Sequence, residues 1–223
     1  MQTPETANTV ANKTSNAPAV PNTAVSLDIE TLSTNGRAVV LSLGICIFKL
    51  DEIQSFDEIV ENGIELFFEK ECQFEMGRKV DQSTLDWWAK QGEEARRVFD
   101  ADPDIMIHPR DFYKHLNQFC EDRGVNLAFL QNNARWFARG PTFDMSILDS
   151  MFSDFNVTVP WKYWLVRDIR THLEALGIDT NIQLRRPDNM IHHNALHDAA
   201  YDVWALQQVL HKPLTELDIV SKR

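Results

Sequence analysis

Two carboxylates, Asp28 and Glu30, stand two residues apart in "AVSLDIETLS", where an apolar run leads into charge. On an extended strand that spacing points both side chains to one face. Like charges on a buried face repel unless a proton or a cation bridges them. Taken alone, the pair also suits a solvated strand end or a turn, so its company matters. Asp144, in "ARGPTFDMSIL", lies where a short aromatic segment gives way to a helix. Near the C-terminus, "HHNALHDAAYD" sets His193 ahead of Asp198. The plain alternative there is an exposed acidic helix face with satisfied histidines. The chemistry open to such a set is the binding of hard divalent cations by carboxylates, with a histidine that exchanges protons near neutrality.

The elements that must position these residues follow from periodicity and punctuation. Residues 1–23 are rich in Ala, Thr, Asn and Pro and hold few large apolar groups, which predicts a disordered arm. Three strands open the folded part: "AVSLDIE", "RAVVLSLGICIFKL" and "GIELFFEK", the last after a turn at Asn62-Gly63. A helix over "STLDWWAKQGEEARRVF" is expected to start at Ser83 as its N-cap. "PRDFYKHLNQFCEDRG" puts Phe112, Leu116 and Phe119 on one face and stops at Gly124. "ARWFARG" reads as a buried strand. "PTFDMSILDSMFSDF" carries an Ile147, Leu148, Met151 stripe, and "VRDIRTHLEALG" a helix ended by Gly177. A long helix over "NALHDAAYDVWALQQVLHKP" stops at Pro213. This order predicts one mixed-sheet α/β domain over 24–212, followed by a short C-terminal tail over 213–223.

Composition sets the outer bounds. Among 223 residues, 43% are hydrophobic and 25% charged, an ordinary balance for a globular chain. The formal net charge of −11 argues against coating nucleic acid by bulk electrostatics, but leaves room for a local grip aided by bound cations. No apolar run reaches membrane-spanning length and no secretory leader is visible. Cys46, Cys72 and Cys120 lie far apart, with no CxxC. The expectation is reduced thiols in a cytoplasmic protein without a membrane partner.

"SLDIET", "GPTFDMSIL" and "HNALHDA" resemble the three exonuclease motifs of the DEDD superfamily of 3′–5′ exonucleases, and HxAxxD places the third in the histidine (DEDDh, DnaQ-like) branch. "STLDWWAKQGEEAR", "KYWLVRDIRT" and "HNALHDAAYD" are further similar to the phage exonuclease A (DexA-type) family. The likeness runs from about Val25 to Leu210. It implies a ribonuclease-H-like α/β fold: a mixed five-stranded sheet, three strands antiparallel and two parallel, with helices on both faces. It also implies two Mg²⁺ or Mn²⁺ ions and a single-stranded DNA or RNA 3′ end as partner. Phosphodiester hydrolysis needs an activated water, neutralisation of charge at phosphorus and help for the leaving oxygen, which two cations can supply.

By position, Asp28 would bridge both ions, Glu30 and Asp198 would complete the tighter site, and Asp144 would hold the second ion through water. His193 would take the proton from the attacking water. The backbone just after Glu30, at Thr31 and Leu32, resembles the family's wedge against the terminal nucleotide. Trp87 and Trp88 are candidates to stack on a base. They point about 100° apart on a helix, so only one can face substrate, and a core place suits both. Arg167 and Arg170 suit phosphate contacts or ion pairs with Asp168 or Glu174. Arg185 and Arg186 sit in a loop before the histidines, both well placed to meet a strand, although loops carry solvated arginines routinely. "HDAAYD" (His197, Asp202) also satisfies HxAxxD. Within a helix, residues five apart diverge by about 140°, so the pair lying wholly inside the helix is disfavoured. With Asn194 as N-cap, His193 lies just outside, and Asp202 becomes a supporting or surface group. DNA is the first substrate choice and RNA the alternative. A silent binding module retaining the fold is a rival reading, disfavoured because every acidic position is present. A polymerase partner or a homodimer is compatible with the chain, and no residue specifies one.

Overall fold

The computed structural model describes residues 22–179 and 182–221; the N-terminal arm expected over 1–23 lies almost wholly outside them. Eight strands are seen among the described residues: β1 Thr23–Thr31, β2 Val40–Lys49, β3 Ile64–Phe68, β4 Met106–Ile107, β5 Arg135–Ala138, β6 Val166–Asp168, β7 Ile182–Leu184 and β8 Ile219–Ser221. Six form the central sheet in the order β4-β3-β2-β1-β5-β6. β1, β2 and β3 pair antiparallel, and β5 and β6 continue parallel to β1. The five expected strands are therefore present, with the two-residue β4 added parallel to the β3 edge.

β1 explains the layering. Val25, Leu27 and Ile29 point to one side, into a core with Phe112, Leu116, Phe119 and Phe152. Those residues come from helices α1 (Phe112–Asp122) and α2 (Asp144–Asp154). Alternate residues on the other side include Ala24, which joins Phe137, Ala199, Ala200, Val203 and Leu206. The last four belong to α3 (Ala195–His211), capped at its start by Asn194, whose side chain accepts from the His197 N–H. A third cluster, Leu32, Val39, Leu41 and Trp88, closes the end of the β1–β2 hairpin.

Three sequence expectations are revised. The helix containing Trp87 runs Gln82–Trp88 with Asp81 as N-cap rather than Ser83. The Asp81 N–H donates to Leu32 O, and its carboxylate accepts from Ser33 Oγ at 2.5 Å, so long-range contacts fix the start. The helical pattern is interrupted before Gly92, whose extended backbone caps a second short helix, Glu93–Arg96. Val166–Asp168, read as helical, is strand β6, and Asp168 caps the helix Ile169–Ala175 that follows. The stretch read as a C-terminal tail carries β8, which pairs with β7 across Ile182↔Ser221 and Leu184↔Ile219.

Candidate active site

The site forms where β1 and β5 end side by side, a consequence of their parallel pairing. Asp28 and Glu30 leave β1 on the α3 face, and the register shifts between Glu30 and Thr31, the kind of bulge that re-aims side chains. Past β5, Gly140 adopts φ 99°, and a Cβ there would sit 3.0 Å from the Arg170 guanidinium. The turn delivers Asp144 as the first residue of α2, 3% exposed. From the far side, α3 brings Asp198 in its first turn. α3 can come so close because β2 offers Gly44, where a Cβ would lie 2.2 Å from the Ala195 carbonyl oxygen.

These elements enclose a cavity of about 520 Å³ bordered by Asp28, Glu30, Asp144, His193, Asp198 and Arg186. The five residues singled out from the motifs thus share one space. Ligand atoms of Glu30, His193 and Asp198 all lie within 4.8 Å of one another. Burial, followed by the repulsion of Asp144, Asp198, Glu30 and Asp202, raises the Asp28 carboxyl well above its usual range. Glu30 is raised in the same way, by burial and then by Asp198 and Glu65. Burial lifts Asp144 to about 7 and Asp198 to about 6. Four carboxyls that resist ionisation in one cleft are the electrostatic signature of a site completed by cations. Their donors are all hard oxygens, which fits Mg²⁺ or Mn²⁺.

His193 stands in the left-handed region at φ 60°, just outside α3. Its N–H donates to Asp198 Oδ2 at 3.0 Å, which turns the ring back over the cleft. Burial, followed by repulsion from any charge on His192 and from Arg186, lowers its pKa. His197 is used differently: its Nδ1 accepts from Ile191 N–H at 3.1 Å and its ring packs on Phe56. Asp202 is 1% exposed and accepts from Arg139 Nε at 2.7 Å, so it is a buried ion-pair partner and no surface group.

The remaining expectations divide. Trp88 is core, and its Nε1–H donates to Thr31 O at 2.9 Å. Trp87 is 40% exposed and lies edge-on to His193, ring centroids 4.7 Å apart, so a core place fits only one of the two tryptophans. Thr31 and Trp87 border a second cavity of about 430 Å³ with Ser83, Thr84, Phe143 and His193. Leu32 is buried in the third cluster, its N–H donating to the Val39 carbonyl and its carbonyl accepting from the Asp81 N–H. Arg186 reaches the main cavity, donating to His192 Nδ1 at 2.8 Å. Arg185 pairs with Asp218 instead. Arg170 borders the main cavity, and Arg167 donates to the Trp164 carbonyl; neither forms the expected pair with Asp168 or Glu174. Sequence reasoning passed over Arg139, Tyr201 and Glu65. Arg139 was detectable as a cation directly after the apolar Trp136–Ala138 stretch of β5. Glu65, on β3 opposite Gly44, accepts from Asn194 Nδ2 at 2.7 Å, a contact no local pattern announces.

The family model that describes a 3′–5′ exoribonuclease Rv2179c-like domain matches residues 23–210. The chain belongs to that family. A phage T4 exodeoxyribonuclease is 27% identical over 204 residues, covering 82% of this chain and 87% of the relative. Exonuclease I from Methylocaldum szegediense superposes with a TM-score of 0.52 at 13% identity, over 86% of this chain and 41% of that one. E. coli exonuclease I, solved with a dA16 oligonucleotide, gives 0.50 at 11%, over 84% and 41%. The two solved structures share the fold and are more than twice as long as the region matched. The protein is a 3′–5′ exonuclease acting on nucleic acid. No helix among the described residues is long and apolar enough to cross a membrane.

Proposed function

We propose that the protein shortens single-stranded DNA from its 3′ end by a two-metal reaction, releasing nucleoside 5′-monophosphates. The observation that carries this reading is the convergence of Asp28, Glu30, Asp144 and Asp198 on one cavity, beside a histidine of lowered pKa. Asp28 would hold both ions, Glu30 and Asp198 one of them, and Asp144 the other. When bound, the Mg²⁺ or Mn²⁺ ions neutralise charge building on the phosphate and ease ionisation of a water. His193, uncharged at neutral pH, accepts the proton of that water as its oxygen attacks phosphorus. The bond to the 3′-oxygen of the preceding nucleotide breaks, and that oxygen leaves to be protonated. Arg186 and Arg170 meet phosphate oxygens at the cavity border. Trp87 and Thr31 receive the terminal nucleoside in the smaller cavity.

DNA is preferred because the phage relative, named an exodeoxyribonuclease, aligns over most of both chains. RNA is the second reading, favoured by the exoribonuclease description of the family. The test is 5′-labelled single-stranded DNA and RNA of one sequence, incubated with Mg²⁺, Mn²⁺ or EDTA. We expect stepwise shortening with either metal, DNA faster than RNA, and none in EDTA. Faster loss of RNA would select the second reading. Cutting of circular single-stranded DNA would overturn the requirement for an end.

A further inference from the structure

Just before β6 the chain presents two large rings to solvent, Tyr163 at 84% exposure and Trp164 at 55%. Their centroids are 4.9 Å apart with planes at 90°, so a flat group laid on one ring would abut the other in an L-shaped seat. Neighbouring indoles are spent on the core: Trp136 and Trp161 are buried against each other. Exposed apolar rings grouped in this way mark interaction sites more often than isolated ones do.

Two cations flank the seat. Lys162 Nζ lies 5.4 Å from the Trp164 ring centroid and donates to Asn132 Oδ1 at 2.6 Å, which holds it in place. The Arg167 guanidinium donates to the Trp164 carbonyl at 2.8 Å. In a chain of formal net charge −11, a paired positive charge beside open aromatic faces is a local exception. The rings also border a cavity of about 510 Å³ whose wall includes Pro141 and Met145. Those residues flank Phe143 and Asp144 of the active-site cavity, so both spaces are built on the same turn into α2. Asp149 lies on the wall too and would repel a phosphate there. Contact at that wall therefore falls to bases, and the phosphates are left to Lys162 and Arg167.

We propose that Tyr163 and Trp164 form a stacking platform for unpaired bases of the strand whose 3′ end occupies the cleft. Aromatic faces accept any base, and adjacent cations follow the backbone, so such a platform adds affinity without sequence preference. It rests on the exonuclease reading for the direction of the strand.

The test compares KM on a long single-stranded oligonucleotide with KM on a dinucleotide, too short to reach the rings. Tyr163→Ala and Trp164→Ala should each raise the first about tenfold, the scale of one lost stack, with kcat held and the dinucleotide unaffected. Trp164→Phe should recover most of the loss. Unchanged KM on the long strand in both alanine variants would overturn the platform while leaving the exonuclease standing. Equal losses on both substrates would also overturn it, since they report a disturbed fold. Should the wild type cleave nothing with any divalent metal, the exonuclease reading falls separately. Fluorescence in EDTA then decides the platform: oligonucleotide quenching present in the wild type and lost in Trp164→Phe sustains it, and no such difference ends it.

Discussion

A histidine that accepts a proton during turnover needs a ring nitrogen that is both uncharged and unoccupied. His193 meets both conditions: its pKa is lowered by burial, and among the described residues no hydrogen bond takes its ring nitrogens. His197 is also kept neutral by burial, but its Nδ1 is committed to Ile191 and its ring to Phe56. His193→Ala and Asp198→Ala should therefore each lower turnover on a labelled single strand by about 10²-fold or more, the scale of a lost general base or ligand. His197→Ala should cost far less, and the opposite ranking would overturn the assignment. The motif residues were legible because each motif is local and the family pattern fixes their order. The Arg139–Asp202 pair was not, because its partners meet only when β5 and α3 are packed together. The packing of the Leu32 side chain was hidden for the same reason. That side chain is claimed by Val39, Leu41 and Trp88, contacts invisible in "ETLS".

At the scale of elements, the site depends on how closely α3 approaches the sheet. Periodicity disclosed α3, its Asn194 cap and its stop, since these rest on neighbouring residues. It did not disclose why a glycine interrupts "VVLSLGICIF". Gly44 lies under the first residue of α3, with no room for a methyl group: the nearest atoms are backbone, at 2.2 to 2.4 Å, and cannot turn aside. Asn194 ties the same helix end to the sheet through Glu65. Gly44→Ala must push that helix end outward, carrying Asp198 and the His193 turn with it. We expect a loss of about 1–3 kcal/mol or more in stability. Turnover measured well below the melting point should also fall sharply. Gly36→Ala, where nothing lies within 4 Å, is the control and should change neither. A Gly44→Ala protein that melts and turns over like the wild type would mean α3 does not set the site. The short β4 and the β7–β8 ribbon escaped the sequence for a related reason. Two or three residues carry too little periodicity, and their pairing partners are distant in the chain.

For the whole molecule, the clustered carboxyls make stability a function of both pH and metal. Asp28 and Glu30 are raised by burial, and Asp198 and Asp144 stand near about 6 and about 7. In the unfolded chain such groups titrate near about 4. Between those limits the native state binds more protons than the unfolded one, so the contribution of these groups to stability is full at low pH. It is lost as pH rises through the folded values. Groups elsewhere also titrate, so the informative quantity is the difference between wild type and Asp28→Asn. In EDTA the variant should melt at or above the wild type at pH 8, with the gap closing towards pH 4, where the wild-type carboxyls regain their protons. Cations reverse the sign, because they stabilise the charged form that the fold otherwise resists. At about 100 times its dissociation constant a bound ion adds roughly 2.7 kcal/mol. Mg²⁺ or Mn²⁺ should thus raise the wild-type melting temperature most at pH 8, least near pH 5, and much less in Asp28→Asn. Differential scanning fluorimetry across that range gives the answer. A wild-type melting temperature indifferent to metal at pH 8, together with an Asp28→Asn protein less stable than wild type in EDTA, would mean that these carboxylates hold no ion.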